Sequence, residues 1–457
     1  MKKQFLVLAV VFIAAISCKR NFDGGFAPRG TNAGPNPDGL PTSVLPLVID
    51  GDRTLTSDTC YILDGKCYVK NGVLSIDEGT RIEGIKKSTN DSASALIITR
   101  SAQIDAQGSA ANPIIFTSHM ETAAVGDWGG VVLLGSAPTN KPDTSIEGIN
   151  LPSVPDGVDI KYGGGAPGVG DSLDNSGTLR FVRIEYAGAA IAPNNELNGL
   201  TCGGVGRGTT LDHIESALGA DDAFEFFGGN VDAKYLIAYS QNDDAFDFDF
   251  GYSGRIQFAV HVRRTIEPFF DGNGIESDND GQSSSALPNT KAQISNMTVL
   301  GLANSTLANA PGRGLLNAAR LRRNTNFLIQ NSVFAGYPNG IAFDAGGTPG
   351  TPSYVSNFSY NTVQGYNSIS TTASLDATNT GFLGGDANDN LSLLDPFNQT
   401  APDFRPASTS PLLTATTNFS GFLNTDGFFD TNATYRGAFA ATGLGSSWDN
   451  GWAKYNY

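Results

Sequence analysis

The stretch Asp221–Gly251, "DDAFEFFGGNVDAKYLIAYSQNDDAFDFDFG", restates its own opening after 22 residues. An offset of 22 lays Asp221, Asp222, Ala223, Phe224, Glu225 and Phe226 on Asp243, Asp244, Ala245, Phe246, Asp247 and Phe248. It also brings "HIESA" (213–217) over "YLIAY" (235–239), and then over "QFAVH" (257–261). Looser copies recur as "NGLTCGG" (198–204), "NGIESDNDG" (273–281) and "NGIAFDAGG" (339–347). A fixed period of about 20–30 residues built from short strands is the signature of a solenoid. One turn of a right-handed parallel β-helix takes about that many residues, three short strands joined by three corners. Gly, Asn and Asp supply the left-handed backbone that such corners need.

The alternation of Phe with Asp follows from strand geometry, because successive side chains face opposite ways. Phe246, Phe248 and Phe250 are expected inside, stacked on Phe224 and Phe226 one turn earlier. Asp247 and Asp249 then point out. Each buried ring contributes roughly 1.5–3 kcal/mol before entropy is counted.

The outward set is strongly acidic: Asp221, Asp222, Glu225, Asp243, Asp244, Asp247, Asp249, Glu276, Asp278 and Asp280. The offset sets Glu225 against Asp247, one strand spacing away, roughly 4.8 Å. Like charges so opposed are unfavourable unless something neutralises them. Three readings follow. Glu225, Asp247, Asp249, Glu276, Asp278 and Asp280 are candidate ligands for Ca2+, which takes six to eight oxygens at roughly 2.4 Å. The same residues also fit a solvated face screened by salt. In the third, Asp221, Asp222, Asp243 and Asp244 are candidate catalytic carboxylates.

From Val48 onward short β-type runs alternate with turn signals, and no segment holds a helical period. The chain has 55 glycines among 457 residues, 16% charged residues and a formal charge of −16. That balance repels nucleic acid and anionic lipid heads and favours cations or neutral ligands.

The N-terminus reads "MKKQFLVLAVVFIAAISCKR". Lys2 and Lys3 precede an apolar run from Phe5 to Ile16, too short to span a bilayer, which marks residues 1–17 as a secretory signal. "AISC" resembles a bacterial lipobox, which implies cleavage before Cys18 and lipid on it. The mature chain is then anchored to a membrane without crossing it. Residues 18–45, rich in Gly, Pro and Asn, read as a flexible tether. Residues 46–353 read as the β-helix, with 46–70 plugging its first turn, and 354–457 as the last coils and an irregular aromatic cap that includes Trp448, Trp452 and Tyr455. Cys60 and Cys67 bracket a turn in "CYILDGKC" and are expected to form a disulfide in an oxidising compartment, leaving Cys202 buried and unpaired.

Several segments of this chain resemble known proteins. "KCYVKNGVLSIDEGTRIEG" and "ALIITRSAQIDAQGSAANPIIFTS" resemble the opening coils of secreted bacterial β-helix proteins of the pectin-lyase-like class. "GDWGGVVLLGSAPTN", "DNSGTLRFVRIEYAG", "GYSGRIQFAV" and the closing "TYRGAFAATGLGSSWDNGWAKYNY" resemble a group of Bacteroidota β-helix lipoproteins with no assigned reaction. The resemblance implies an outer-membrane, lipid-anchored protein, with the periplasmic or cell-surface side undecided. Surface export in that group is linked to acidic residues after the lipid cysteine, whereas here Lys19 and Arg20 come first and Asp23 follows.

The catalytic signatures of the fold are incomplete. Glycosidases resembling polygalacturonases add a Gly-His-Gly and an Arg-x-Lys to their aspartates, and this sequence has neither in place. A lyase needs a basic residue beside the carboxylates, and Arg255, Arg263, Arg264 and Lys234 are the nearby candidates. His119, His213 and His261 share no metal-ligand spacing, and His213 and His261 fall on outward parity. "GGDANDNL" (384–391) is one imperfect copy of a calcium nonapeptide that works only when stacked. "GLTCGGVGRG" lacks the Lys-Ser/Thr of a phosphate loop. The expected function is a non-catalytic envelope lipoprotein whose acidic face binds a glycan or an envelope protein, with calcium as candidate cofactor. The alternatives are a polysaccharide hydrolase or lyase acting through Asp243 and Asp244, and an adhesin-like spacer. A glycan role predicts exposed aromatic rings beside the acidic ladder.

Overall fold

A computed structural model describes residues 36–457 apart from 88–92, 143, 150, 193–194, 266–271, 345–354 and 444. The expected signal, Cys18 and most of the expected tether lie outside the described residues. Most of the described strands assemble into one 25-stranded sheet in which every pairing is parallel, the signature of a right-handed parallel β-helix, and the rest form small antiparallel pairs. A single α-helical turn, Ser305–Ala308, interrupts the strands.

Three ladders run the length of the coil. One carries Gly130–Leu134, Leu200–Gly203, Phe224–Phe227, Phe246–Asp249, Ile275–Ser277 and Asn317–Leu321. The other two are the halves of long strands such as Gly177–Glu185, Thr210–Ala217, Asp232–Tyr239 and Arg255–Val262. Each of these bends at one residue in the left-handed region: Phe181, His213, Tyr235 and Phe258, continued by Asn296 and Asn331. Their rings pile up outside the bend, with centroids 4.3 Å apart for Phe181–His213, 4.4 Å for His213–Tyr235 and 5.3 Å for Tyr235–Phe258. Left-handed backbone costs a non-glycine residue about 1 kcal/mol or more, and the stacked rings offset it.

Phe224 stacks on Phe246 at 5.3 Å and Phe226 on Phe248 at 5.5 Å, all fully buried. Phe250 departs from the sequence expectation. The strand ends at Asp249, Phe250 turns left-handed, and its ring lies outside the core on Phe227 at 5.4 Å. The 22-residue register holds for Phe224↔Phe246 and Leu211↔Ala233. It slips by one at the next coil, where Leu236 pairs Ala259 and Tyr239 pairs Val262. The corner between Asp249 and Arg255 carries one residue more than that between Phe227 and Asp232, so "QFAVH" is displaced by one.

Coiling begins earlier than expected. Thr42–Val44, Val48–Asp50 and Arg53–Leu55 form the first turn, pairing with Cys60–Leu63 and Lys66–Ile76, so residues 46–70 are coil and not a plug. Cys60–Leu63 and Lys66–Ile76 lie on different ladders, with Cys60 beside Arg81 and Cys67 beside Leu96. The turn at Asp64–Gly65 is therefore a solenoid corner and not a hairpin. This corrects the expected disulfide: Cys60 and Cys67 are separate buried thiols, as is Cys202.

The C-terminal aromatic segment covers a flank, doubling along it before its last residues run back against the direction of coil growth. Gly437 donates to the Asn331 carbonyl at 2.9 Å, and Arg255 pairs Asp426. Further back, Trp452 packs on Phe181 and His213, and Tyr457 on Tyr186 and Tyr239. Trp452 is fully buried there.

Candidate functional site

The acidic strands sit at the centre of the first ladder. Inward residues Phe224, Phe226, Phe246 and Phe248 leave Glu225, Phe227, Asp247 and Asp249 facing outward. The outward register reads Glu225↔Asp247↔Glu276↔Arg320 across consecutive coils. Before it, the same face is apolar, with Ile97, Val132 and Leu134. These pack beneath an insertion, not foreseen from the sequence, that leaves the helix after Leu134 and re-enters at Gly177. Its short antiparallel pair Thr144–Ser145 and Lys161–Tyr162 lays Ile146, Ile160 and Tyr162 over that face as a second small core.

The carboxylates are sunk and not spread on solvent. Glu225, Asp222, Asp244, Glu276, Asp278 and Asp280 are all buried, while Asp221, Asp243, Asp247 and Asp249 are half-buried. This overturns the solvated-face reading. Asp222 and Asp244 occupy a corner ladder otherwise made of asparagines. Asp222 N donates to Asn198 Oδ1 at 3.2 Å, Asp244 N to Asp222 Oδ1 at 2.8 Å, and Asn273 N to Asp244 Oδ1 at 2.5 Å. Asn317 and Asn339 extend the row at 2.8 and 3.1 Å. These aspartates therefore hold the corner together, which limits the role the catalytic reading gave them.

Oxygens of Asp222, Glu225 and Asp247 all lie within 4.8 Å of one another, as do those of Asp221, Asp222 and Asp243. Asn198 Nδ2 donates to Glu225. Asp247 Oδ1 is out of contact with solvent and has no hydrogen-bond partner, although the residue as a whole keeps an edge open. Burial, then mutual repulsion, pushes Asp221, Asp222, Glu225 and Asp247 well above the usual carboxylate range. Asp244, Asp249 and Glu276 are pushed up to about 8, again first by burial. Burial and mutual repulsion thus disfavour the charged form of this group, a cost that a proton or a hard cation relieves.

The ladder ends in bases. Arg322 donates to Glu276 and, at 2.9 Å, to Asp278, and Arg323 reaches Asp278 at 2.7 Å. Asp280 is turned into a loop, accepting from Gln282 N at 2.9 Å and Ser284 N at 3.0 Å. Sequence reasoning missed Arg320 and Arg322, although their parity matches Glu276 and Asp278 one coil back. It also missed Glu196 and Glu147, whose charges act on Asp221. Glu147 lies in the insertion and Glu196 in the short Asn195–Glu196 strand that follows Gly177–Glu185, where no repeat points to them.

Of the bases named from the sequence, Arg255 and Lys234 are elsewhere, whereas Arg263 lies beside Asp243 and Asp244. Arg255 forks between Asp232 at 2.5 Å and Asp426 at 2.7 Å on another ladder. Lys234 stands over Phe428 and Phe258. Arg263 is buried and donates to the carbonyls of Gln241, Asp243 and Asn273. His261 is also buried, against its outward parity, with Nδ1 2.9 Å from the Ala238 carbonyl and Nε2 2.9 Å from the Tyr337 hydroxyl. The aromatic ring beside the ladder is Phe250, half-buried beneath the Lys141 ammonium at 4.4 Å. In "GGDANDNL", Asp389 accepts from Asp386 N at 2.8 Å, which closes an ordinary turn.

Comparison with known proteins accords with this architecture. The family model described as "Pectate-lyase like beta helix domain" matches residues 47–394. No curated protein matches significantly. A solved structure, the catalytic domain of a GH87 alpha-1,3-glucanase in complex with tetrasaccharides, is 11% identical with a TM-score of 0.29, over 73% of this chain and 64% of that one. The aligned part thus spans less than two thirds of that domain, and a likeness so loose carries no chemistry across. The chain belongs to the pectate-lyase-like β-helix domain family.

Proposed function

We propose that this protein is a non-catalytic binding or scaffold β-helix of the cell envelope, whose acidic chamber holds a calcium ion that braces a glycan-binding wall. The observation that carries the reading is Asp247 Oδ1, a buried carboxylate oxygen without a partner, among the oxygens of Asp222 and Glu225. The donors are all oxygens, which favours a hard cation over zinc or copper. A glycan suits an acidic protein that repels polyanions, and the family's fold is in keeping with it. Anchoring through lipid on Cys18, in the outer membrane, completes the proposal.

The test is calorimetric titration of calcium into the chelator-stripped chain from Lys19. Asp247→Asn and Asp243→Asn variants run beside it, and a glycan screen follows with calcium present. Micromolar binding that Asp247→Asn abolishes supports the reading. No heat, with no change in melting temperature, sinks it.

A second reading, polysaccharide hydrolysis or lysis, is favoured by Asp244, Asp249 and Glu276, which keep protons up to about pH 8 and so have the capacity of general acids. Release of reducing or unsaturated ends, lost in Asp244→Asn while the fold survives, would establish it in place of the first.

A further inference from the structure

A second site lies on the flank, away from the acidic chamber, where Asp232–Tyr239 is overlaid by residues 426–428 of the C-terminal segment. A cavity of about 350 Å3 opens there, lined by Arg207, Thr210, Asp232, Lys234, Arg255 and Phe428 among others. In a chain of net charge −16 it gathers three cations.

Two of these cations are already satisfied. Arg207 Nε donates to Asp232 Oδ2 at 2.9 Å. Arg255 donates to Asp232 at 3.0 and 2.5 Å and to both oxygens of Asp426 at 2.7 Å. Lys234 differs. Its ammonium stands 4.8 Å from the centre of the Phe428 ring and 5.9 Å from that of Phe258. Among the described residues no carboxylate or carbonyl lies within hydrogen-bond reach of it. Asp212 and Asp430 attract it only at a distance, and Arg255 repels it. Rings compensate a cation's charge in part but accept no N–H hydrogen bond along a lone pair. A half-buried ammonium with three unspent donors, facing a cavity, is a vacant half of an ion pair.

We propose that this cavity is a binding site for a singly charged carboxylate, with the Lys234 ammonium as its principal donor and the exposed Thr210 hydroxyl beside it. The charge balance selects the ligand. Asp212, Asp232 and Asp426 also line the cavity, so a dianion would meet them as well as Lys234, whereas one planar carboxylate matches the single unspent cation. The site is independent of the calcium reading, because Glu225 and Asp247 belong to a different ladder.

Acetate is the probe, titrated into the mature chain at constant ionic strength against chloride, with sulfate as a parallel arm. Expected is saturable acetate binding that Lys234→Met weakens about tenfold or more and Lys234→Arg retains within about threefold. Thermal melts of both variants establish that they fold. Acetate binding equal in wild type and Lys234→Met, no saturable binding at all, or sulfate binding as tight as acetate would each overturn the proposal. None of these results would bear on the acidic chamber.

Discussion

Glu225 stands in register with Asp247 on the next coil, and Asp247 in register with Glu276 on the one after. The phenylalanines between them pack so well that the backbone cannot slip to relieve the repulsion, and a one-residue slip would turn every ring outward. Core packing thus holds carboxylates together that would otherwise separate.

The first prediction concerns pH without a cation. Asp244, Asp249 and Glu276 have folded values raised to about 8, above their unfolded values. Their stabilising contribution is complete below about pH 4 and disappears as pH rises through about 8, on the order of 3 kcal/mol or more in total. In chelator the melting temperature should therefore fall steadily from pH 5 to 8, and Asp247→Asn should flatten the decline. A melting temperature independent of pH across that window would refute it.

Arg322 closes the acidic ladder by pairing with Glu276 and Asp278. Replacing it with Met strands both carboxylates and should cost about 3 kcal/mol, read from urea midpoints. The double variant Arg322→Met/Glu276→Gln should recover part of that loss.

The core offers a simpler check. Truncating Phe226, fully buried, stacked on Phe248 and packed against Tyr252, to Ala should cost about 3–5 kcal/mol. Phe250→Ala, outside the core, should cost much less. Equal losses would mean that the two rings are not partitioned as described.

Glu215 is buried beneath the C-terminal segment, accepting from Lys454 N at 2.9 Å and the Tyr457 hydroxyl at 3.0 Å. Burial raises its carboxyl to about 8, with Arg183 opposing. Since the folded value exceeds the unfolded one, the attachment is secure at low pH and weakens as pH passes about 8. Fluorescence of Trp448 and Trp452 should report release of the segment above that pH, and Glu215→Gln should abolish the transition.

Thiol chemistry gives a last expectation. Burial raises Cys60 and Cys67 to about 12, so both should resist a thiol reagent in the native protein and react once it is unfolded, without prior reduction.

The repeat in Asp221–Gly251 was enough to place Phe224, Phe226, Phe246 and Phe248 in the core and Glu225 opposite Asp247, because a period and a parity are local properties of the sequence. The slip at Phe258 was not legible, since one extra corner residue looks like any other glycine-rich turn. Nor was the depth of the carboxylates. Parity says that Glu225 points out of the coil, but the insertion that roofs this face has no repeat to reveal where it folds back. The Cys60–Cys67 pairing failed for a related reason: a turn signal does not distinguish a hairpin from a solenoid corner.

The C-terminal segment returns along the flank until Tyr457 rests against Tyr186 and Glu215. Residues late in the sequence therefore fasten onto coils formed by residues far earlier, and those coils keep an unsealed side until the segment docks. A tag fused after Tyr457 would emerge beside the middle coils and not beyond the final one, and losing the last few residues would strip a wall from coils far upstream.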